Sequence, residues 1–137
     1  MTKPDVDRLR RLLSDATRER MERIDAFASI DSTNSWLKEQ PPPRAGNLSA
    51  AIADHQTAGR GRHDRAWLSA PGCSLCLSLA YTFRDPPDLL PPLTLAVGVA
   101  TANALAGFGI DQVRLKWPND LLVDGRKLGG ILVESSV

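Results

Sequence analysis

Apolar residues change their spacing several times along the chain, and each change predicts an element. From Asp5 to about Arg23, Leu9, Leu12, Leu13 and Ala16 recur at helical intervals among Arg8, Arg10, Arg11, Arg18 and Glu19. That pattern predicts one amphipathic surface helix whose arginines face water. "RIDAFASI" reads as a strand, after which Asp31, Ser32 or Thr33 can cap a short helix through Asn34, Trp36 and Leu37. "PPPRAG" ends that helix, and "SAAIADH" forms a second strand. "SLCLSLAYTF" alternates with period two, so Leu75, Leu77, Leu79, Tyr81 and Phe83 share one face, which is the expected core face.

Beyond the proline-rich "RDPPDLLPP", Leu93, Val97, Ala100, Ala104, Leu105 and Phe108 return to helical spacing, with prolines ahead and Gly109 as a C-terminal cap. Its alanines and Gly98 predict close packing on a sheet. "VRLKW" reads as a strand, "PN" as a turn and "DLLV-DG-RKL" as a two-residue hairpin, with "GGILVE" as the last strand. Hairpin signals mixed with one long helix predict an α+β (α/β two-layer) fold: a mixed, largely antiparallel sheet with packed helices.

There is no internal repeat, and 137 residues suit one domain, with residues 1–23 as the N-terminal helix and 24–137 as the sheet core. An apolar, strand-like ending favours reading the chain as part of a longer domain. Seventeen basic against sixteen acidic residues give a net charge of +1, so bulk attraction to nucleic acid or membrane is not expected and any anion site is local. No segment has the character of a signal peptide or a membrane span, which makes a cytoplasmic address the expectation. Cys73 and Cys76 have C-x-x-C spacing, but they fall on a strand pattern at an odd separation and have no second cysteine pair. Buried reduced thiols are the favoured reading over a redox or metal pair.

Two stretches carry candidate chemistry. "QTAGRGRHDRAW" sets Arg60, Arg62 and Arg65 among Gly59 and Gly61. Guanidinium forks and backbone N–H groups freed by glycine can wrap a phosphate or carboxylate, and the same arginines can equally pair with surface carboxylates such as Asp64. Neither a P-loop nor a G-x-G-x-x-G pattern is present. In "KWPNDLLVDGRKLGGILVE", Lys127 follows the hairpin, and Gly129 and Gly130 leave room for a ligand against the backbone. Such a lysine can clamp a carboxylate and a phosphate together, or simply be solvated, as Lys116 can. Asn119 and Asp120 suit either a turn or a contact to a hydroxyl, a base edge or a metal.

Together, "DSTN" at Asp31 to Asn34, "QTAGRGR" at Gln56 to Arg62 with Arg65 and Trp67, "KWPND" at Lys116 to Asp120, and "RKLGGILVE" at Arg126 to Glu134 resemble the biotin protein ligases. The four motifs stand in family order over most of the chain. The related lipoate ligases share the fold and the ligating lysine, but the glycine-arginine loop and "KWPND" look like the biotin branch.

The resemblance implies a ligase that activates biotin with ATP to biotinyl-5′-AMP and transfers it to a lysine of a biotin carboxyl carrier domain. It implies that Ser32, Thr33, Gln56, Gly59 and Arg60 hold biotin, and that Gly130 and Leu132 line its pocket. Arg62 would stabilise the adenylate, and Lys127 would sit between the biotin carboxylate and the α-phosphate. Arg65, Trp67, Asn119 and Asp120 would serve ATP, with Asp120 toward Mg2+. A homodimer is compatible with it. The family's winged-helix DNA-binding domain, its later glycine-rich ATP motif and its C-terminal β-barrel have no counterpart among the quoted motifs. Repression is therefore not expected; the alternatives are a lipoate or octanoate protein ligase or transferase, and a non-catalytic biotin-binding module, and the chain can also be an inactive fragment.

Overall fold

A computed structural model of the protein describes residues 1–136; the last position of the expected sheet core, Val137, lies outside the described residues. Two compact units emerge, Met1–Arg60 with Asp64–Pro86, and Gly61–His63 with the segment from Pro87 onward.

In the first unit the expected N-terminal helix is two helices, α1 (Val6–Leu12) and α2 (Asp15–Arg20). The break lies at Ser14, whose hydroxyl oxygen accepts the Thr17 N–H at 3.2 Å and so starts a new helix. Arg18 is exposed, as expected, and also donates to the carbonyls of Leu13 at 2.7 Å and Arg10 at 3.0 Å, which satisfies the end of α1. Strand β1 (Met21–Ile30) therefore begins where the helical pattern was expected to continue.

Helix α3 (Thr33–Glu39) is capped by Ser32, whose Oγ accepts the Ser35 N–H. It supplies the crossover that lets β2 (Leu48–Gln56) run parallel to β1. Strand β2 is central, with β5 (Cys76–Tyr81) antiparallel on its other side. Ala50 and Ala51 are neighbours that point to opposite faces, and both are buried, so β2 is covered on both sides at that level.

The period-two pattern of β5 is observed, but its covered face is the other one. Leu77 and Leu79 are 52% and 57% exposed, whereas Cys76 is buried and Ser78 reaches Thr33 at the head of α3. Alternation separates two faces without saying which one a helix will cover. Tyr81 and Phe83 make an edge-to-face pair at 4.7 Å. Of the two free thiols only Cys76 is buried; Cys73 precedes the strand and is exposed. Two short strands, β3 (Gly59–Arg60) and β4 (Ala66–Trp67), pair antiparallel. A 3-10 turn at Arg62–Asp64 lies between them, and its left-handed residues are His63 and Asp64 rather than a glycine.

In the second unit, α4 (Pro91–Gly107) packs on β6 (Arg114–Lys116) and β7 (Asp120–Val123), which pairs in turn with β8 (Arg126–Gly130). The close approach expected of α4 occurs at Gly98, where an added Cβ would stand 3.4 Å from Leu115 and 3.7 Å from Ile131. Away from Gly98 the helix is largely uncovered: Leu95 and Val99 are exposed, as is Phe108 just beyond its end. Gly109 ends it in the left-handed region, as expected. Asp124 and Gly125 both have positive φ, the geometry of the two-residue hairpin turn. "GGILVE" is not a separate strand: Gly129 and Gly130 finish β8, and no strand follows among the described residues. Among those residues, no helix is long and apolar enough to cross a membrane.

Candidate functional site

The first unit gathers five of the sequence-predicted residues around the start of α3 and the end of β2. Backbone bonds from Thr57 N–H to the Ile30 carbonyl and from Ala58 N–H to the Asp31 carbonyl bind the segment after β2 to the segment before α3. Gln56 and Thr33 thereby meet: the Gln56 Oε1 accepts the Thr33 N–H at 2.8 Å and the Thr33 hydroxyl at 2.9 Å. Ser32 and Thr33 are 3% and 2% exposed, so these bonds lie in a low-dielectric setting where they hold geometry firmly.

Gly59 is buried directly beneath them. A Cβ there would fall 2.7 Å from the Trp67 carbonyl oxygen and 2.8 Å from Gln56 Nε2, so only glycine lets β3, β4 and the Gln56 amide share this space. The glycine serves close packing here, not loop mobility. Arg60 donates from Nη2 to Ser35 Oγ at 3.4 Å, which turns its guanidinium toward the first turn of α3. Trp67 is half-buried on β4, and Arg65 is exposed.

The second unit holds the remaining candidates. Arg62, Asn119 and Leu132 line one cleft of about 420 Å³, together with Thr94, Leu95 and Trp117. Asn119 sits in the turn between β6 and β7. Its side-chain amide donates to the Ile131 carbonyl at 3.0 Å while its own carbonyl accepts the Ile131 N–H at 2.9 Å. This two-way clamp fixes the chain between Gly130 and Leu132 against the turn. Lys127 on β8 forms an ion pair with Asp120 on β7, Nζ to Oδ1 2.8 Å. Gly130 pairs with Asp120 across the same hairpin.

Sequence reasoning assigned Lys127 and Asp120 to separate tasks and did not foresee that they touch. It also missed Ser69 and Ser78. Ser69 is buried, its hydroxyl accepts the Gln56 N–H at 3.0 Å, and its carbonyl lies 2.9 Å from His55 Nδ1. Ser78 Oγ lies 2.8 Å from Thr33 Oγ1. Polar residues at alternate positions of an otherwise apolar strand were the available signal for Ser78. Among the described residues there is no group of three or more His, Cys, Asp or Glu side chains that could hold a metal.

Comparison with known proteins places these features in a wider set. Residues 26–137 match the model of the biotin/lipoate A/B protein ligase family. The chain is 45% identical over 108 residues to the bifunctional ligase/repressor BirA of Escherichia coli, covering 77% of this chain and 32% of that protein. It is 38% identical over 116 residues to a biotin–[acetyl-CoA-carboxylase] ligase of Mycobacterium tuberculosis, covering 81% and 44%. Among solved structures, the biotin protein ligase of Aquifex aeolicus in complex with biotin and ATP superposes with a TM-score of 0.63 at 33% identity, over 86% of this chain and 47% of that one. A Leishmania major biotin protein ligase in complex with biotinyl-5-AMP gives 0.67 at 26% identity, over 85% and 52%. The chain thus spans about a third to a half of the length of these relatives.

Proposed function

The chain belongs to the biotin/lipoate A/B protein ligase family, and from that premise we propose that it carries the biotin-binding and adenylating residues of a biotin–carrier-protein ligase. The observation that carries this reading is the Thr33–Gln56 pair. A half-buried amide anchored by a backbone N–H and a hydroxyl offers directed hydrogen bonds, which a ureido ring can use and a dithiolane cannot. The relatives support the same branch: the similar structures hold biotin with ATP, or biotinyl-5-AMP, and the Mycobacterium tuberculosis relative is a biotin–[acetyl-CoA-carboxylase] ligase.

In the first step, a biotin carboxylate oxygen attacks the α-phosphorus of ATP, the bond to the bridging oxygen breaks and pyrophosphate leaves. In the second, the neutral lysine amine of a biotin carboxyl carrier domain attacks the acyl carbon, AMP departs with the bond's electron pair, and the amine loses a proton to solvent. The protein need supply no nucleophile. Its work is to orient the two anions, neutralise their charge and shield the anhydride from water.

In the first unit Ser32, Thr33, Gln56, Gly59 and Arg60 are assigned to biotin, and in the second unit Gly130 and Leu132 are assigned to the same ligand. Lys127 neutralises carboxylate and α-phosphate together, and Arg62 stabilises the adenylate. Arg65, Trp67, Asn119 and Asp120 serve the nucleotide. Asp120 offers a single carboxylate, a donor set that suits Mg2+, which takes one or two carboxylates and completes its shell with water and phosphate oxygens. When bound, the ion would offset phosphate charge. The address proposed is cytoplasmic, and the acting form is compatible with a homodimer.

The test is biotin-dependent pyrophosphate release from ATP, run beside calorimetry of biotin on the same chain. Release with biotin and not with lipoate is expected. Release with lipoate alone overturns the biotin assignment, and biotin binding without release reduces the chain to a binding module.

A further inference from the structure

We infer that Ser78, on β5, is a positioning residue that fixes which hydrogen-bonding groups the Thr33–Gln56 pair presents to a ligand. The inference rests on the biotin reading for the ligand's identity, but not for the polarity of the pair itself.

The Thr33 backbone N–H can only donate, so the Gln56 side-chain atom 2.8 Å from it must be the carbonyl oxygen and not the amide nitrogen. The Thr33 hydroxyl, 2.9 Å from the same oxygen, must then spend its one hydrogen on it. Both lone pairs of the Gln56 carbonyl are thereby filled by Thr33.

A hydroxyl that has given up its hydrogen can only accept from a third partner. Ser78 Oγ, 2.8 Å away, therefore donates to Thr33 Oγ1. The hydrogens run in one direction, from Ser78 to Thr33 to Gln56. What Gln56 has left to offer is its Nε2 donors, and what Thr33 and Ser78 have left are lone pairs. A ligand suited to this array carries a carbonyl acceptor beside N–H donors, the pattern of a cyclic urea. The orientation is held from several sides: Gly59 leaves room for Nε2, Ser69 accepts the Gln56 backbone N–H, and Thr33 is almost wholly buried.

Ser78 never needs to touch the ligand for this. Without its hydrogen, Thr33 Oγ1 loses the donor that occupies one lone pair, and its hydroxyl can rotate away from Gln56. Gln56 Oε1 is then held by the Thr33 backbone N–H alone, so the amide turns more readily to present its carbonyl in place of its donors. Loss of one neutral hydrogen bond in such a chain corresponds to about a five-fold change in affinity.

The experiment compares the chain with its Ser78→Ala and Ser78→Thr variants, using biotin and 2-iminobiotin as probes. Protonated 2-iminobiotin keeps the ring N–H groups but puts a donor where biotin has its carbonyl. In Ser78→Ala, biotin affinity should fall about five-fold while 2-iminobiotin affinity holds or rises, so the preference between them narrows. Ser78→Thr should restore the preference. Equal losses for both probes, tracking a lowered melting midpoint, would mean that Ser78 only supports the fold and would overturn the inference. A ligand-free arm separates this result from the biotin reading: by NMR, the Thr33 hydroxyl proton should exchange slowly in the parent chain and faster in Ser78→Ala. Unchanged exchange refutes the relay, whereas a changed rate with no biotin binding in the parent refutes only the ligand.

Discussion

Lys127 Nζ stands 2.8 Å from Asp120 Oδ1, joining the two strands of the hairpin that the Asp124–Gly125 turn creates. The lysine side chain is 47% exposed, so the pair contributes little to folding, on the order of 0–1 kcal/mol. Its value lies in holding a cation at a defined place on a rigid hairpin. Lys127→Ala is expected to leave the melting midpoint nearly unchanged while abolishing formation of biotinyl-adenylate. Unchanged single-turnover adenylation would remove Lys127 from its assigned role, and a collapse of the fold would show that the pair is structural.

Glu22 provides a clear pH response. Its Oε1 accepts from the Arg44 side chain at 2.8 Å, from Asn47 Nδ2 at 2.6 Å and from the Arg44 backbone N–H, tying the start of β1 to the loop before β2. The hydrogen bond from Arg44, followed by that from Asn47, holds its carboxyl below the ordinary 4.5. A depressed carboxylate stabilises the fold above its unfolded pKa, and that stability is lost as pH falls through the lower folded value. Glu22→Gln should therefore be less stable than the parent at neutral pH, with the gap closing in acid. Exposure to solvent keeps the effect small. Urea midpoints across the carboxylate range check it, and a gap that widens toward acid would contradict the assignment.

Much of the fold was readable because local chemistry and tertiary packing agree there. The Ser32 cap, the Asp124–Gly125 turn and the long α4 all follow from residues acting on their immediate neighbours. The disagreements arise where a distant partner decides. Arg18 and Ser14 break the first helix because Ser14 caps a new turn and Arg18 reaches back to Leu13, which no periodicity count detects. The leucine face of β5 is the expected core, but alternation has no sign; the covered face is the one on which Ser78 meets Thr33 of α3. In the candidate site, residue identities were legible from their motifs, but the pairings were not. Nothing local to "KWPND" or "RKLGG" says that Asp120 meets Lys127, or that Asn119 clamps Ile131.

Arg62 and Gln56 belong to different compact units, and the reading assigns them different ligands. Arg62 lines the cleft shared with Asn119 and Leu132, where the adenylate would place a phosphate that free biotin lacks. A guanidinium contact to a phosphate is charge-assisted, worth roughly 1.5–3 kcal/mol. Arg62→Ala should thus speed dissociation of biotinyl-5′-AMP by one to two orders of magnitude, on the order of that energy, while leaving free biotin affinity close to the parent's. Equal losses for the two ligands would count against a phosphate role.

Gly59 offers a test in which packing and binding separate. An alanine Cβ there would stand 2.7 Å from the Trp67 carbonyl oxygen and 2.8 Å from Gln56 Nε2. The first is backbone and cannot step aside without moving β4, so Gly59→Ala should cost about 1–3 kcal/mol. The second is the amide proposed to face the ligand, so biotin affinity should fall as well. Gly125→Ala is the matched control. Its strain comes from a positive φ of 72° in the hairpin turn, with nothing within 4 Å of the added carbon. That substitution should lower stability by about 1 kcal/mol without altering how Gln56 is held. Thermal melts and biotin calorimetry on both variants distinguish the two cases. If Gly59→Ala binds biotin as the parent does, the Gln56 amide does not face the ligand, and the donor array inferred for it is wrong.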